Sequence, residues 1–374
     1  MRTKIVIAML VGVALGAAMT IAIRSLPQRE VPKVEPADKF QIAKIATEWY
    51  KSHYQNVELH NPVVKDDGLV ISGAVAYRDG MFSTYGLEIA VCPSNETLVV
   101  RGTCPIEIRK GRMAMMRELT IRADFKTRES IATLYLDVDG RLRCRASMPF
   151  DALLIDAEEA MWMLAASIES KLLVCESAER RVCAGECLPT AAVGDIKEFH
   201  LLTEDYLHNS SCVYETKRFA SYEGLPPIED VVKQWFDKEQ GYYEMHRDPC
   251  TTQFTGFWRY TGDDYFDSVC YRVDVEHRRT LIGMCRCPLS LGADDGSPEL
   301  VNLVSDYNSR HDKGSLKMDL DAGRLTTQYE MPVSVLRRPR SQARFKAVAE
   351  DMTEIPSGAL VEIYEKLQWI MSAK

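Results

Sequence analysis

The stretch Leu87-Glu-Ile-Ala-Val-Cys-Pro-Ser-Asn-Glu-Thr-Leu98 decides the fold, because it aligns without a gap with Cys270-Tyr-Arg-Val-Asp-Val-Glu-His-Arg-Arg-Thr-Leu281. The offset, from 87 to 270, is 183 residues, and it also places Cys104-Pro105 on Cys287-Pro288. The matching positions are mostly apolar residues, turn residues and prolines rather than acids, bases or metal ligands. The alignment therefore predicts that the chain contains one domain twice, and that the repeat preserves a scaffold rather than a reaction centre.

A second pair of stretches predicts a β-hairpin in each copy. Leu134-Tyr-Leu-Asp-Val-Asp-Gly-Arg-Leu142 corresponds to Leu316-Lys-Met-Asp-Leu-Asp-Ala-Gly-Arg-Leu325, which has one residue more. In the first copy, apolar and polar residues alternate on both sides of Asp139-Gly140. An Asp-Gly pair between two such runs is a strong hairpin signal, because glycine adopts positive φ without steric cost.

Hydrophobic periodicity gives the same order of elements in both copies. In the copy at 38–174 we predict helices over 38–54, 112–127 and 155–173, strands over 68–76, 81–92 and 97–106, and a hairpin over 134–149. In the copy at 227–374 we predict helices over 228–240, 297–310 and 356–372, strands over 252–261, 266–275 and 280–289, and a hairpin over 314–331. Each copy is thus predicted to be an α-β-β-β-α-β-β-α domain of the α+β class, with an antiparallel sheet and its helices on one side. A connecting segment at 175–226 belongs to neither copy.

Residues 1–24 are predicted to be a signal peptide or a membrane anchor. Arg2 and Lys4 precede 19 residues, 5–23, in which only Thr20 interrupts the apolar run. A spanning helix needs ~20 apolar residues and a signal-peptide core only ~7–15, so the length favours an anchor. Residues 25–37 are rich in proline and charge and form the predicted linker. We therefore expect a bacterial envelope protein, held in the inner membrane and facing the periplasm, or secreted if the helix is cleaved.

The charge balance argues against a nucleic-acid partner. The formal net charge is −8, whereas phosphate binding needs a clustered positive surface. Arg141, Arg143 and Arg145 alternate with apolar residues. This spacing predicts the solvated face of a strand rather than a binding site.

The eleven cysteines fit an exported chain, in which disulfides persist. The connecting segment holds Cys183, Cys187 and Cys212, for which a disulfide is the favoured interpretation. The alternative is a metal site completed by His200 or His208. The spacing of Cys183 and Cys187 differs from the usual Cys-x-x-Cys pattern of such sites.

A second candidate bridge lies in the other copy. A four-residue loop, 276–279, would pair Val275 with Thr280 and place Cys270 opposite Cys285. Opposed residues are close enough for a disulfide after a slight distortion. A register longer by two would place Cys287 opposite Cys270 instead. Packing of the three thiols in a core is an equally good interpretation, and Cys285 with Cys287 could also form a redox pair.

The sequence contains no recognisable catalytic, cofactor-binding or metal-binding motif. Asp137 and Asp139 recur as Asp319 and Asp321, a pattern that fits an acid–base pair or a calcium site. We favour a structural interpretation, in which the second Asp of each pair bonds its own turn and the first is a solvated strand residue. Trp49 and Trp235, at equivalent helix positions, are expected to pack in the cores. We therefore expect no catalytic residue, no cofactor and no metal ligand.

The block from Leu303 to Tyr329 carries a resemblance to a known family. The residues that carry it are Leu303, Asn308, Ser309, Gly314, Ser315, Leu316, Met318, Asp319, Asp321, Gly323, Leu325 and Tyr329. This block resembles the YbjN-type family, described as bacterial sensory-transduction regulators. The first copy resembles it less closely, since Asp124 follows its helix where the family favours Asn. The resemblance implies the type III secretion chaperone-like fold and no catalytic residues.

Together these observations predict a non-catalytic envelope protein that binds or regulates another protein through two YbjN-like domains. One alternative is a thiol- or metal-dependent envelope enzyme that uses Cys183, Cys187 and Cys212. Another is a purely structural intramolecular pseudo-dimer with no partner of its own.

Overall fold

The protein is described from a computed structural model. The described residues are 38–54, 56–66, 68–76, 84–108, 110–126, 131–184, 228–239, 243–247, 251–258, 269–276, 280–287, 289, 297–332, 335 and 342–372. The helices and strands described below belong to one compact unit, Lys39–Lys374. The predicted apolar helix at 5–23, the linker at 25–37 and residues 185–227 lie outside the described residues.

The described part of the chain is a mixed α+β structure with antiparallel sheets, as predicted. Its helices are α1 (Lys39–His53), α2 (Met113–Lys126), α3 (Phe150–Ile155), α4 (Ala157–Ala184), α5 (Ile228–Glu239), α6 (Pro298–Arg310) and α7 (Gln342–Ser372). Its strands are β1 (Val57–Leu59), β2 (Val63–Lys65), β3 (Gly68–Ala76), β4 (Thr84–Cys92), β5 (Thr97–Glu107), β6 (Ala132–Leu136), β7 (Arg141–Pro149), β8 (Tyr243–Arg247), β9 (Thr251–Trp258), β10 (Val269–Glu276), β11 (Thr280–Arg286), β12 (Ser315–Asp319) and β13 (Arg324–Pro332).

The strands form two sheets with matching orders. The first runs β1-β3-β4-β5-β7-β6, with β2 also paired to β3, and the second runs β8-β9-β10-β11-β13-β12. One edge of each sheet is formed by an antiparallel strand pair, β6 with β7 in the first sheet and β12 with β13 in the second. The two predicted hairpins therefore lie at corresponding edges of their sheets. We call the part up to α4 the first half and the part from α5 the second half.

Each half packs a long helix on the centre of its sheet. Helix α4 contacts β5 and β7, and α7 contacts β11 and β13. Close approach needs a small residue in each sheet. A Cβ at Gly102 of β5 would lie 2.7 Å from a methyl carbon of Ile168 in α4. At Gly283 of β11 it would lie only 2.1 Å from the backbone oxygen of Met352 in α7.

The last helix differs from the prediction, which began it at residue 356. Helix α7 begins at Gln342 and contains Pro356 in its interior. Proline has no N–H to donate to the carbonyl four residues earlier, which is that of Met352. This carbonyl lies against Gly283, and the Thr327 hydroxyl donates to the Pro356 carbonyl at 2.5 Å. The proline therefore lies where the helix meets the sheet, rather than at a helix end.

Other boundaries also differ. The predicted helix at 155–173 is α4, which begins at Ala157 and continues to Ala184, and the short helix α3 before it was not predicted. Asp156 separates the two helices, and its side chain accepts a hydrogen bond from the Glu159 N–H at 3.0 Å. Strands β1, β2 and β8 were not predicted. They are three to five residues long and mostly exposed, so no alternation of apolar and polar residues marks them.

The two halves contact each other reciprocally through their central helices and edge strands. Helix α2 of the first half packs on α6 and β12, and α6 of the second half packs on β6. Ile121 of α2 belongs to the apolar core of the second half. In the other direction, the Ser305 hydroxyl of α6 donates to the Leu136 carbonyl of β6 at 3.1 Å. Each half thus completes part of the other's packing.

Candidate functional site

Three charged side chains from both halves meet in the interior. Asp124 of α2 lies between Lys171 of α4 and Lys317 of β12, with Nζ to carboxylate distances of 2.8 Å and 2.7 Å. All three side chains are at most 3% exposed. Lys317 comes from the second half and its two partners from the first. We call these three residues the buried triad.

Hydrogen bonds and charges stabilise the ionised carboxylate of Asp124. The Leu134 N–H donates to Asp124 Oδ1 at 2.9 Å, which fixes the carboxylate at the start of β6. Burial alone would raise the pKa of the Asp124 carboxyl, but Lys171 and Lys317 lower it below its usual range. Burial lowers the pKa of the Lys171 ammonium to about 8, although Asp124 opposes that shift. Removing one member would leave a buried charge without its partner, which is costly.

The position of Asp124 has a counterpart in the second half. Asn308 of α6 accepts from the Leu316 N–H at 2.8 Å, as Asp124 accepts from the Leu134 N–H. Asn308 also donates to the Leu316 carbonyl at 3.0 Å. Both side chains therefore tie the end of a helix to the next strand, but only Asp124 carries a charge. The sequence shows this Asp in place of Asn, which is the signal that could have revealed the triad.

A second group of charges joins the halves on the same sheet. Arg101 of β5 binds Glu88 of β4 and, at 2.5 Å, Asp312 of the second half. Burial would lower the pKa of the Arg101 guanidinium, but Asp312 and Glu88 raise it above its ordinary value. On the next strand, Arg145 Nη2 donates to the Gly314 carbonyl at 3.1 Å.

Arg145 lines a narrow polar cleft between the halves. Residues of β6 and β7 form one side and residues near β12 and β13 form the other. The lining residues are Ile131, Thr133, Arg145, Ser147, Asp312, Gly314, Ser315, Gln328, Tyr329 and Glu330. Gln328 donates to Glu330 within the cleft. Arg145 Nη1 is buried and has no hydrogen-bond partner.

The arginine row therefore differs from its prediction as a solvated strand face. Arg145 is only 3% exposed, and Arg143 Nε lies 2.7 Å from Asp137 Oδ2. Of the three, Arg141 alone is exposed. The reason is that the other half covers this part of the sheet, which a pattern within one strand does not reveal.

The recurring aspartates form turns, but with roles opposite to those predicted. Asp137 Oδ1 accepts from the N–H groups of Asp139 and Arg141 at 3.0 and 2.9 Å. Asp319 Oδ1 accepts from the N–H groups of Asp321 and Ala322. The first Asp of each pair serves the turn, because its side chain reaches forward to the N–H two residues later.

The register of β10 and β11 contradicts the predicted pairing of Cys270 with Cys285. Glu276 pairs with Thr280, so Cys270 lies opposite Arg286 and Tyr271 opposite Cys285. Three residues rather than four separate the paired ends, and a one-residue shift exchanges the faces of a strand. In the first half, Cys92 pairs with Thr97, which leaves four residues. The gapless alignment thus missed a one-residue difference between the two loops.

Among the cysteines whose side chains the structure describes, Cys104, Cys144 and Cys287 are free thiols. Cys285 and Cys287 are both buried in the apolar core of the second half. The side chain of Cys270 is outside the described part of the structure, so a bridge from it stays a prediction, whereas the packing of Cys285 and Cys287 in a core is found. Burial raises the pKa of the Cys287 thiol. Cys183 lies in the last turn of α4, whereas Cys187 and Cys212 lie outside the described residues.

Trp49 packs as predicted and also makes a polar contact. It is buried, and its Nε1 donates to Glu158 Oε2 at 2.9 Å. The ring of His53 stacks on it at 4.3 Å, and His53 Nε2 lies 3.0 Å from Glu158 Oε1. Trp235 lies in α5, and its side chain is outside the described part of the structure.

The described residues lack two kinds of feature that the sequence had suggested. They contain no group of three His, Cys, Asp or Glu side chains arranged to hold a metal ion. Nor do they include a helix whose length and hydropathy suit a membrane span. Comparisons with protein-family models, with curated proteins and with solved structures found no match for this chain.

Proposed function

We propose that the chain is a tandem pair of YbjN-like domains, joined as an intramolecular pseudo-dimer, that binds or regulates another protein without catalysis. The observation that carries this proposal is the reciprocal contact of the halves, in which α2 packs on β12 and α6 packs on β6. Because the two halves bury this interface against each other, a partner protein would bind to their outer surfaces. The type III secretion chaperone-like fold is part of this proposal.

The tandem arrangement is supported by features at three levels. The sequence repeats apolar and turn residues at a nearly constant offset. The two sheets share one strand order. Asp124 and Asn308 bind corresponding backbone N–H groups, as do Asp137 and Asp319. A shared local role at the same position of two sheets is the expected result of duplication.

A non-catalytic role is supported by what the buried charged groups do. Asp124 binds both Lys171 and Lys317, and Arg101 binds Glu88 and Asp312. These contacts hold the halves together. Perturbed titratable groups often mark active sites, but structural ion networks perturb them as well.

The location in the bacterial envelope is proposed from the apolar run at 5–23 alone. It would place both domains in the periplasm, on a linker at 25–37. The thiol- or metal-dependent enzyme remains an alternative proposal that rests on Cys183, Cys187 and Cys212. The structural pseudo-dimer without a partner is the nearer alternative, because it would show the same interface.

Site-specific photo-crosslinking in intact cells distinguishes a binding module from a purely structural pseudo-dimer. A photoreactive amino acid replaces Val64 or Trp369, two apolar side chains that are 62% and 67% exposed. The matched control places it at Lys44, an equally exposed polar position. Large exposed apolar side chains are the expected contacts of a partner.

The proposal predicts a discrete adduct with another protein from Val64, Trp369 or both, and none from Lys44. Identical patterns at all three positions, or no adduct at any, would support the structural alternative. Fractionation of the same cells tests the location, since a chain found entirely in the cytosol would contradict the envelope proposal.

A further inference from the structure

The cleft between the halves contains a cationic group with unused hydrogen-bonding capacity. Arg145 is 3% exposed, and its Nη2 donates to the Gly314 carbonyl at 3.1 Å. Its Nη1 is buried and has no hydrogen-bond partner. A buried donor without an acceptor is costly, and more so when the group is charged. Because Arg145 lines the cleft, an acceptor could reach it from there.

The charges around Arg145 do not fully compensate it. Asp312, an acid of the same cleft, is bound at 2.5 Å by Arg101, which also binds Glu88. Burial, supported by the charge of Arg101, lowers the pKa of the Arg145 guanidinium despite Tyr135 and Asp312. Its charged form is therefore less stabilised than that of a typical paired arginine, which favours an added anion.

The lining of the cleft limits what this anion can be. Thr133, Ser147 and Ser315 add polar side chains to its lining, and the narrow, partly open cleft admits only a small group. Asp312 and Glu330 lie in the same cleft, so a doubly charged phosphate would be repelled. A planar, singly charged group suits the geometry of a guanidinium.

We propose that this cleft binds a single carboxylate group, which accepts a hydrogen bond from Arg145 Nη1. The carboxylate has two sources, a small free acid or the chain end or acidic side chain of a partner polypeptide. The second source rests on the proposed protein-binding function, and the first does not.

Binding is measured on the full chain by following the guanidinium N–H signals of Arg145 during NMR titration. The probes are sodium acetate, a short peptide with a free C-terminal carboxylate and the same peptide with an amidated C-terminus, at constant ionic strength set with sodium chloride. The test variant is Arg145→Gln, because Gln328 occupies the corresponding position of β13. The control variant is Arg143→Gln, which lies two residues away and pairs with Asp137 outside the cleft.

We expect saturable binding of acetate to the wild-type chain and to Arg143→Gln, and at least tenfold weaker binding to Arg145→Gln, read from the backbone signals of β6. If acetate binds but the free peptide binds no better than the amidated peptide, the site is assigned to small acids. The proposed protein-binding function is then tested separately by the crosslinking experiment. No saturation by acetate or peptide in the wild-type chain overturns the carboxylate site. This wild-type outcome is decisive even if Arg145→Gln fails to fold.

Discussion

The two halves use the same helix-to-strand tie with different chemistry. In the second half, the neutral Asn308 satisfies both backbone groups of Leu316. In the first half, Asp124 accepts from Leu134 and also binds Lys171 and Lys317. Only the charged version extends across the boundary between the halves. A side chain that only connects a helix to the next strand can therefore also connect two domains, when it is a carboxylate instead of an amide and lysines lie around it.

The largest expected effect comes from making the first half resemble the second. Asp124→Asn keeps the acceptor for the Leu134 N–H but leaves Lys171 and Lys317 without their carboxylate. Breaking a buried ion pair costs about 3–5 kcal/mol, so we expect the free energy of unfolding to fall by this amount. Equilibrium denaturation by urea measures it.

The matched control removes all three charges together. In Asp124→Asn with Lys171→Met and Lys317→Met, no buried charge lacks a partner, so most of the lost stability should return. A single variant that loses less than about 1 kcal/mol, or a triple variant less stable than the single one, would show that the triad does not join the halves.

Two glycines offer the next comparison. In Gly283→Ala the new Cβ would meet the backbone oxygen of Met352 at 2.1 Å, and a helix carbonyl cannot move aside alone. In Gly102→Ala it would meet the side chains of Ile168 and Cys144 at 2.7 and 2.9 Å, whose ends can shift. We expect losses of about 2–3 kcal/mol and about 1 kcal/mol respectively, measured by thermal and urea denaturation. Equal losses would contradict the close contact of α7 with β11.

The turn aspartates should differ by a smaller amount. Asp137 accepts two backbone N–H groups and binds Arg143 at 2.7 Å, whereas Asp319 has only the backbone contacts among its described interactions. Replacement by Ala should cost about 2 kcal/mol at Asp137 and about 1 kcal/mol at Asp319. A larger loss at Asp319 than at Asp137 would show that the ion pair adds nothing to the turn.

The smallest expected effect is a pH dependence that belongs to Lys171. Its pKa in the folded protein is about 8, below the ordinary 10.5, so between these values the unfolded chain holds a proton that the folded chain lacks. Stability from this group therefore rises with pH in that window, by about 1 kcal/mol from pH 8 to 9. The measurement is the difference in unfolding free energy between the wild-type chain and Lys171→Met at each pH. A difference that stays constant or moves in the opposite direction would contradict the lowered pKa.

The sequence predicted what depends on neighbouring residues. The hairpin around Asp139-Gly140 and helix α6, predicted at 297–310 and found at Pro298–Arg310, follow from turn chemistry and periodicity. The predicted register of β10 and β11 is wrong because a gapless alignment does not reveal that one loop has one residue fewer. The predicted start of α7 at residue 356 is too late, because proline is common at the first position of a helix and Pro356 lies inside this one.

The candidate site was missed for a different reason. Asp124, Lys171 and Lys317 are separated by 47 and 193 residues along the chain, so no local pattern links them. Arg145 was assigned to solvent because its strand alternates regularly, although the other half covers that face. Groups at an interface between domains are determined by the docking of the domains, which single-strand patterns do not encode.

Hydrogen exchange followed by mass spectrometry tests most directly whether the buried triad makes the two halves one cooperative unit. We predict that amides of strands β7 and β13, each next to the edge strand of its sheet, exchange with the same free energy of opening in the wild-type chain, and that Asp124→Asn lowers both equally. Strand β13 keeping its wild-type protection in Asp124→Asn, while β7 loses protection, would show that the halves unfold independently and would contradict the account.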